Sequence, residues 1–144
     1  MKMMPFEEFC KTSNLKLTHL RKDILAILFK KAPLSAYSIL DQLRKKRPNA
    51  EPPTVYRVLE WLVNAQIVHK IESENSFVLC SNVTSPSHKT FLLLCKQCHK
   101  SYEFDDPKMK DCMKKFVKRF HIEVDDSVIE VKGLCEKCLS RRKT

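Results

Sequence analysis

Residues 52–64 read Pro-Pro-Thr-Val-Tyr-Arg-Val-Leu-Glu-Trp-Leu-Val-Asn. Paired prolines are typical of the first turn of a helix, where a backbone N–H has no partner to lose, so the stretch predicts a helix over 55–64. At about 100° per residue, one face of that helix collects its apolar side chains, namely Val55, Val58, Leu59 and Leu62. Arg57 falls almost opposite, with Thr54 near it and Tyr56 on the flank. The stretch therefore predicts an amphipathic helix with a polar outer face.

The sequence around this stretch predicts two more helices and a hairpin. Thr18 can cap a helix that runs through about Lys31, and a second helix begins near Ser35 with apolar residues at helical spacing. After the third helix the period of the apolar residues changes to two, so 67–71 and 77–80 predict two strands joined by a turn. In that order these elements outline a winged helix-turn-helix domain.

The outer face of the third helix and Tyr37 are candidate DNA contacts. The Arg57 guanidinium can bind a guanine edge with two hydrogen bonds, and hydroxyls such as that of Thr54 can bind phosphate. Spacing alone leaves open the alternative of an ordinary amphipathic helix with one solvated arginine. Tyr37 lies off the apolar stripe of its helix, so it is either a partly exposed packing residue or an aromatic residue that contacts a base.

Residues 81–87, Ser-Asn-Val-Thr-Ser-Pro-Ser, carry one larger apolar side chain and predict a linker. We therefore expect a first domain over 1–81, a hinge over 82–88 and a second domain over 89–144. In the second domain, we expect strands at 90–95, 101–104 and 128–131, and a helix that begins at Pro107. Cys112 lies on the apolar stripe of that helix, which favours a small core residue over a metal ligand. The predicted class is α+β, with the winged helix-turn-helix followed by a small α/β domain.

Composition narrows the possible functions. The 27 Lys and Arg against 17 Asp and Glu give a net charge of +10, which favours nucleic acid as partner before an acidic protein or a membrane surface. The charge is not polarised, because residues 1–88 hold 13 basic and 8 acidic groups and residues 89–144 hold 14 and 9. The single glycine, Gly133, cannot form the clustered-glycine loops of nucleotide-binding enzymes or hydrolases, so we predict that the chain is not an enzyme. We expect neither a membrane span nor a secretory leader.

Four of the seven cysteines form the strongest motif of the chain. They occur as two Cys-x-x-Cys pairs, at Cys95 and Cys98 and at Cys135 and Cys138. Each pair puts two sulfurs on one tight turn, and two such turns make a tetrahedral thiolate site for zinc. Dithiol redox chemistry is the alternative, but a redox pair usually acts alone. The motif predicts a structural zinc.

A second group of soft ligands lies around the predicted hinge. Cys80 ends the second strand of the hairpin, His69 lies on the facing strand, and His88 ends the hinge. In a hairpin that turns near Glu74, His69 and Cys80 come close across the strand pair. Such ligands suit Zn²⁺ better than a metal that prefers oxygen, and a carboxylate such as Glu103 can complete a tetrahedron. Spacing alone also allows either histidine to be a hydrogen-bonded core residue.

The hairpin and helix motifs resemble the ferric uptake regulator family. The matching stretches are Leu34-Ser-Ala-Tyr-Ser-Ile-Leu-Asp41, Pro52-Pro-Thr-Val-Tyr-Arg-Val-Leu59, Val68-His-Lys-Ile-Glu-Ser73 and Phe77-Val-Leu-Cys80. The likeness covers nearly the whole chain, includes both cysteine pairs, and within the family is strongest to the zinc uptake regulators. It implies a cytoplasmic bacterial repressor of metal uptake genes, a homodimer joined by its second domain, which binds a palindromic double-stranded DNA operator when it holds metal.

The resemblance also implies a role for each motif. Cys95, Cys98, Cys135 and Cys138 correspond to a structural zinc site, and His69, Cys80, His88 and Glu103 correspond to a sensing zinc site, which makes two Zn²⁺ per chain. Tyr37 and Arg57 correspond to residues that read bases, with Thr54 and Tyr56 beside them. No small-molecule substrate other than a metal ion is implied.

Three alternatives remain at this point. The first is an iron or manganese sensor of the same family, although the single histidine in Ser85-Pro-Ser-His88-Lys89 favours zinc. The second is an interaction module that zinc stabilises without any sensing. The third is a zinc deaminase, since His121-Ile-Glu123 with the second cysteine pair mimics that signature, but Leu134 stands where the signature needs proline.

Overall fold

A computed structural model of the chain describes residues 4–13, 15–81, 83, 90–124 and 128–143. The chain divides into two compact units, Met1–Pro86 and Ser87–Thr144. The division falls inside the predicted hinge 82–88, although most of that segment lies outside the described residues.

The first unit begins with four helices. Their bounds are Phe6–Thr12 (α1), His19–Lys31 (α2), Ala36–Arg44 (α3) and Pro52–Asn64 (α4). Thr18 caps α2 by accepting a hydrogen bond from the Arg21 N–H at 3.3 Å, and Ser35 caps α3 by accepting one from the Ser38 N–H at 3.1 Å. Hydroxyl side chains thus satisfy backbone donors that the first turn of each helix leaves free. The predictions for these two helices are confirmed.

A small antiparallel sheet forms the wing. Its strands are Leu34–Ser35 (β1), Val68–Ile71 (β2) and Ser76–Leu79 (β3), in the order β1-β3-β2. A short 3₁₀ turn over Glu72–Glu74 joins β2 to β3, and Asn75 has a φ of 47° there, a left-handed conformation that asparagine tolerates. The hairpin is confirmed, and β1 is an addition to it.

The apolar faces of these helices and strands form one core. It includes Ile24, Leu25 and Leu28 from α2, Ile39, Leu40 and Leu43 from α3, and Val55, Val58, Leu59 and Leu62 from α4. The four α4 residues are those that the helical spacing predicted. Because the buried side holds α4 against the other helices, the opposite side of α4 faces solvent.

The second unit is a three-stranded sheet with two helices. Its elements are Thr90–Cys95 (β4), Ser101–Phe104 (β5), Pro107–Arg119 (α5), Val128–Gly133 (β6) and Glu136–Arg142 (α6). The strand order is β5-β4-β6, with β4 antiparallel to β5 and parallel to β6. Asp106 caps α5 by accepting hydrogen bonds from the Lys108 and Met109 N–H groups. The α+β class and the order of a winged helix followed by an α/β unit are as predicted.

The structure corrects the sequence analysis at three places. Two short helices, α1 and α6, were not predicted. Cys112 is exposed, so its assignment as a core residue is wrong for the single chain. No described residue of α5 is buried, which leaves the apolar stripe of that helix open along with Cys112.

Candidate metal centres and nucleic-acid interface

The parallel pairing of β4 and β6 brings the two cysteine pairs together. Cys95 is the last residue of β4 and lies beside Gly133, the last residue of β6. The Lys96 N–H donates to the Gly133 carbonyl at 2.8 Å, and the Cys135 N–H donates to the Cys95 Sγ at 3.4 Å. Two separate turns, 40 residues apart at these two cysteines, are thereby fixed against one another.

The four sulfurs fit a tetrahedral zinc ion. The Sγ atoms of Cys95, Cys98, Cys135 and Cys138 all lie within 4.8 Å of one another. Cys98 Sγ and Cys135 Sγ are 3.8 Å apart. A Zn–S bond of about 2.3 Å gives a tetrahedron with sulfurs roughly 3.8 Å apart, whereas a disulfide needs about 2.05 Å. The geometry therefore suits zinc coordination and does not suit a disulfide bond.

The electrostatics of the group are also those of a cation site. Hydrogen bonds from the backbone at Cys98 and Cys135 lower the pKa of Cys95 to about 6. Burial, with hydrogen bonds from neighbouring thiols, raises the pKa of Cys138 to about 12. Neighbouring thiols of the group thus have different pKa values, because hydrogen-bond donors favour one thiolate while burial disfavours another.

Tyr102 on β5 contacts this group and was not among the predicted site residues. It is half-buried and packs with Leu134 against Cys95, Cys135 and Cys138. Its hydroxyl interacts with the Cys135 side chain, and this interaction lowers the pKa of Cys135 and raises that of Tyr102 to about 12. No local sequence signal indicates Tyr102, because its contact with the cysteines depends on the pairing of β5 with β4.

The wing brings His69 and Cys80 together within the first unit. His69 on β2 pairs directly with Val78 on β3, so Cys80, two residues further along, is its diagonal neighbour on the same face. The Cys80 N–H donates to the Ile67 carbonyl at 2.8 Å, which continues the hairpin past β3. A ring nitrogen of His69 and the Cys80 Sγ lie within 4.8 Å, and both residues are buried.

Of the other two predicted sensing ligands, Glu103 belongs to the second unit and His88 is not among the residues that the structure describes. Glu103 is half-buried on β5, where it pairs with Leu92 on β4. Within the first unit, the structure therefore brings together two of the predicted sensing ligands, the buried His69 and Cys80.

All four predicted DNA contacts lie on the surface of the first unit. Thr54 and Arg57 are exposed on α4, opposite its buried face. Tyr37 on α3 is 64% exposed and Tyr56 on α4 is 42% exposed, and their rings meet edge to face with centroids 6.4 Å apart. Tyr37 is thus not a core residue, and the two aromatic rings form one exposed ridge next to Arg57's helix face.

An aromatic–cation contact holds α4 to α2. The Arg21 guanidinium lies 3.5 Å from the centroid of the Trp61 ring. Such stacking over a tryptophan face is favourable for a guanidinium group. It connects the start of α2 to the exposed edge of α4.

Large apolar side chains remain uncovered on the second unit. Met109 and Phe116 on α5, and Phe120 directly after it, are 42–52% exposed. The Phe116 and Phe120 rings contact each other at a 45° tilt with centroids 4.6 Å apart. A contiguous apolar face of this kind is typical of a protein interface. None of the helices that the structure describes has the length and hydropathy of a membrane span.

Comparisons with known proteins agree with one another. The model of the ferric uptake regulator family matches residues 12–132. The zinc uptake regulation protein of Escherichia coli (strain K12) is 36% identical over 134 residues, which cover 92% of this chain and 78% of that protein. A zinc uptake regulator solved in complex with zinc and DNA has a TM-score of 0.85 at 34% identity, with 96% of this chain and 93% of the other covered. Holo XcZur has a TM-score of 0.83 at 31% identity, with 94% and 99% covered.

Proposed function

The chain belongs to the ferric uptake regulator family, and from this premise we propose that it is a zinc-responsive repressor. In this proposal a homodimer binds a palindromic operator of metal uptake genes when it holds zinc. The observation that carries the proposal is the buried His69 and Cys80 pair on the wing of the unit that also exposes Arg57. Metal ligands and DNA contacts on one small domain provide a physical route from zinc concentration to operator binding. The chain is not an enzyme.

We assign one zinc to the four cysteines as a structural ion. The support is the 3.8 Å separation of two of the sulfurs, the burial of three of the four residues, and a backbone N–H that donates to Cys95. With four protein ligands such a site has no open position for a reacting molecule. Zinc held there contributes to the folding of the second unit.

We assign a second zinc to His69, Cys80, Glu103 and His88 as the sensing ion. The wing supports two of these ligands by its register, and the resemblance of the sequence supports the other two. A thiolate ligand at Cys80 favours zinc over the iron or manganese of the runner-up hypothesis, because thiolates select softer metals. Two zinc ions per chain are thus part of the proposal.

The regulatory step follows from where the proposed ligands stand in the sequence. His69 and Cys80 precede the predicted hinge 82–88, whereas Glu103 follows it and His88 ends it. Ligands on both sides of a hinge restrict its conformations when they share one ion. Reversing a two-state population from 1:99 to 99:1 takes about 5.5 kcal/mol of differential binding, which a chelated zinc can supply. The favoured conformer is the one whose recognition helices match two half-sites.

DNA recognition is assigned to the exposed side of α4 and the aromatic ridge beside it. In this proposal Arg57 reads a guanine edge, Thr54 binds phosphate, and Tyr37 and Tyr56 contact bases or sugars. The exposed apolar face of α5 is the proposed dimer contact, since a second copy would cover it. A repressor that binds chromosomal DNA, and whose cysteines bind zinc instead of forming disulfide bonds, fits a cytoplasmic location.

Metal titrations test this proposal against its alternatives. We expect two zinc ions per chain, one of which a chelator removes easily, and operator binding that returns with zinc. Operator binding driven by iron or manganese at lower free metal than zinc would support the runner-up hypothesis. One inert zinc per chain, with no effect of added metal on DNA binding, would support the interaction module and contradict sensing.

A further inference from the structure

Two proposed zinc sites in one chain must differ in how readily they exchange. A sensing ion has to leave when free zinc falls, whereas an ion that supports the fold of the second unit has to stay. Four cysteine ligands alone do not guarantee this difference in exchange, because protons compete with zinc for the sulfurs at neutral pH. Groups around the ligands therefore matter, and Tyr102 is the side chain in contact with them.

The sheet register fixes where Tyr102 lies. Tyr102 on β5 pairs with Leu93 on β4, and Cys95 is two residues beyond Leu93 on the same face of the sheet. Tyr102 is therefore the diagonal neighbour of Cys95, with its ring against the cysteine cluster. Because Tyr102 and Cys95 both lie in paired strands, the sheet fixes the position of the tyrosine ring.

The hydroxyl of Tyr102 acts on one cysteine in particular. It interacts with the side chain of Cys135, which is the N-cap residue of α6. The backbone N–H of Cys135 donates to the Cys95 sulfur at 3.4 Å, so Tyr102, Cys135 and Cys95 are linked in sequence. Outer hydrogen bonds of this kind orient metal ligands and favour the form that binds metal.

We propose that Tyr102 is a positioning residue for the structural zinc. Its hydroxyl donates to the Cys135 sulfur, holds that ligand in place and slows loss of the ion, which insulates the four-cysteine site from the free zinc that the wing senses. The inference rests on the proposed structural zinc site. It concerns a residue that is neither a ligand nor a DNA contact.

Zinc release from the full-length dimer tests the proposal. The Cys80→Ser variant serves as parent, so that the structural ion is the one followed, and release to excess chelator is timed with a colorimetric zinc indicator. Tyr102→Phe keeps the ring and removes the hydroxyl, and we expect release about 10-fold faster, at the lower end of the loss typical for outer-ligand mutations. Ser140→Ala likewise removes one hydroxyl from the second unit, an exposed one that donates to the Glu136 carbonyl, so it is the control and should release zinc at the parental rate.

A third variant separates the hydrogen bond from packing. Tyr102→Leu removes both the ring and the hydroxyl, so it should release zinc at least as fast as Tyr102→Phe. Fast release in Tyr102→Leu together with parental release in Tyr102→Phe assigns the effect to packing and overturns the proposal. A parent that purifies without any tightly held zinc overturns the structural site itself, which distinguishes failure of the proposed function from failure of this inference.

Discussion

The two compact units are stabilised by different means. In the first unit, sixteen buried apolar residues from helices and wing form one continuous core. In the second unit, β4 buries Phe91, Leu92 and Leu94, whereas α5 buries none of its described residues. Cys95, Cys135 and Cys138 form a separate buried cluster of thiols. The first unit therefore has a core without any metal, whereas we expect the second to need its ion.

This difference assigns different roles to the two proposed zinc ions. An ion in the second unit replaces core packing, so its removal should act on folding. An ion on the wing adds to a hairpin that already packs on a complete core, so its removal should act on DNA binding and leave the fold intact. Four experiments test whether the two units differ in this way.

The largest effect is expected at the four-cysteine site. Cys95→Ser or Cys138→Ser should remove the structural zinc and unfold the second unit, because zinc binding of about 10–16 kcal/mol in small zinc domains is folding free energy. Zinc content and size-exclusion chromatography measure the outcome, with Cys10→Ser as control because that cysteine lies in α1 of the first unit. A folded dimer of either variant with wild-type zinc content would contradict the proposed role of the site.

The second largest effect is expected on the wing. Cys80→Ser should lose the easily chelated zinc, with an affinity drop above about 100-fold, because a missing ligand costs more than a missing outer contact. The structural zinc and the dimer should remain, as metal analysis and light scattering would record. Cys10→Ser in α1 is the matched control. Loss of both ions in Cys80→Ser would show that the two sites are not independent.

A smaller effect is expected on the DNA-binding face. Arg57→Ala should leave both zinc ions in place and weaken specific binding by about 1–3 kcal/mol per half-site, because a bidentate contact to one base is lost. Thr54→Val, which removes the hydroxyl proposed to bind phosphate, is the comparison, and it should weaken all sequences alike. Binding to operator and to scrambled DNA at two salt concentrations distinguishes them. Equal losses of Arg57→Ala on both DNAs would show that α4 does not read bases.

The smallest effect is expected at an ion pair of the first unit. Although burial raises the pKa of Asp23, hydrogen bonds from Lys46 Nζ at 2.6 Å and Arg47 Nε at 2.8 Å outweigh this and lower it below its ordinary value. The folded state therefore gains stability from the carboxylate at neutral pH and loses it as the pH falls through that lowered pKa. We expect Asp23→Asn to reduce the free energy of unfolding by about 1 kcal/mol at pH 7, because both partners are partly exposed.

Urea unfolding of wild type and Asp23→Asn at several pH values checks this expectation. The difference between the two proteins should shrink in acid, and chelation of zinc should not change it in the first unit. A difference that persists unchanged in acid would assign the effect of Asp23 to packing.

The sequence was most informative where the residues themselves determine the geometry. The hydroxyls of Thr18 and Ser35 cap helices that the spacing of apolar residues had already indicated, and the buried face of α4 follows directly from helical period. The two Cys-x-x-Cys pairs required only that two turns meet, and the pairing of β4 with β6 provides that. Local chemistry and periodicity are enough for such features.

Other features depend on contacts that no local pattern contains. Helix α1 has seven residues and no side-chain cap, so its stability comes from packing of Phe9 into the core. The stripe on α5 indicated an apolar face correctly but not what covers it, which is why Cys112 was misassigned. Tyr102 was missed because its role depends on a diagonal neighbour in another strand. The ligand roles of Glu103 and His88 remain predictions.

Operator binding titrated against buffered free zinc, with wild type and Cys80→Ser measured side by side, shows whether the wing senses zinc. Wild type should bind its operator only as free zinc rises, whereas Cys80→Ser, still a folded dimer with one zinc per chain, should fail to respond over the same range. A Cys80→Ser protein that binds operator at the same free zinc as wild type would contradict zinc sensing by the wing.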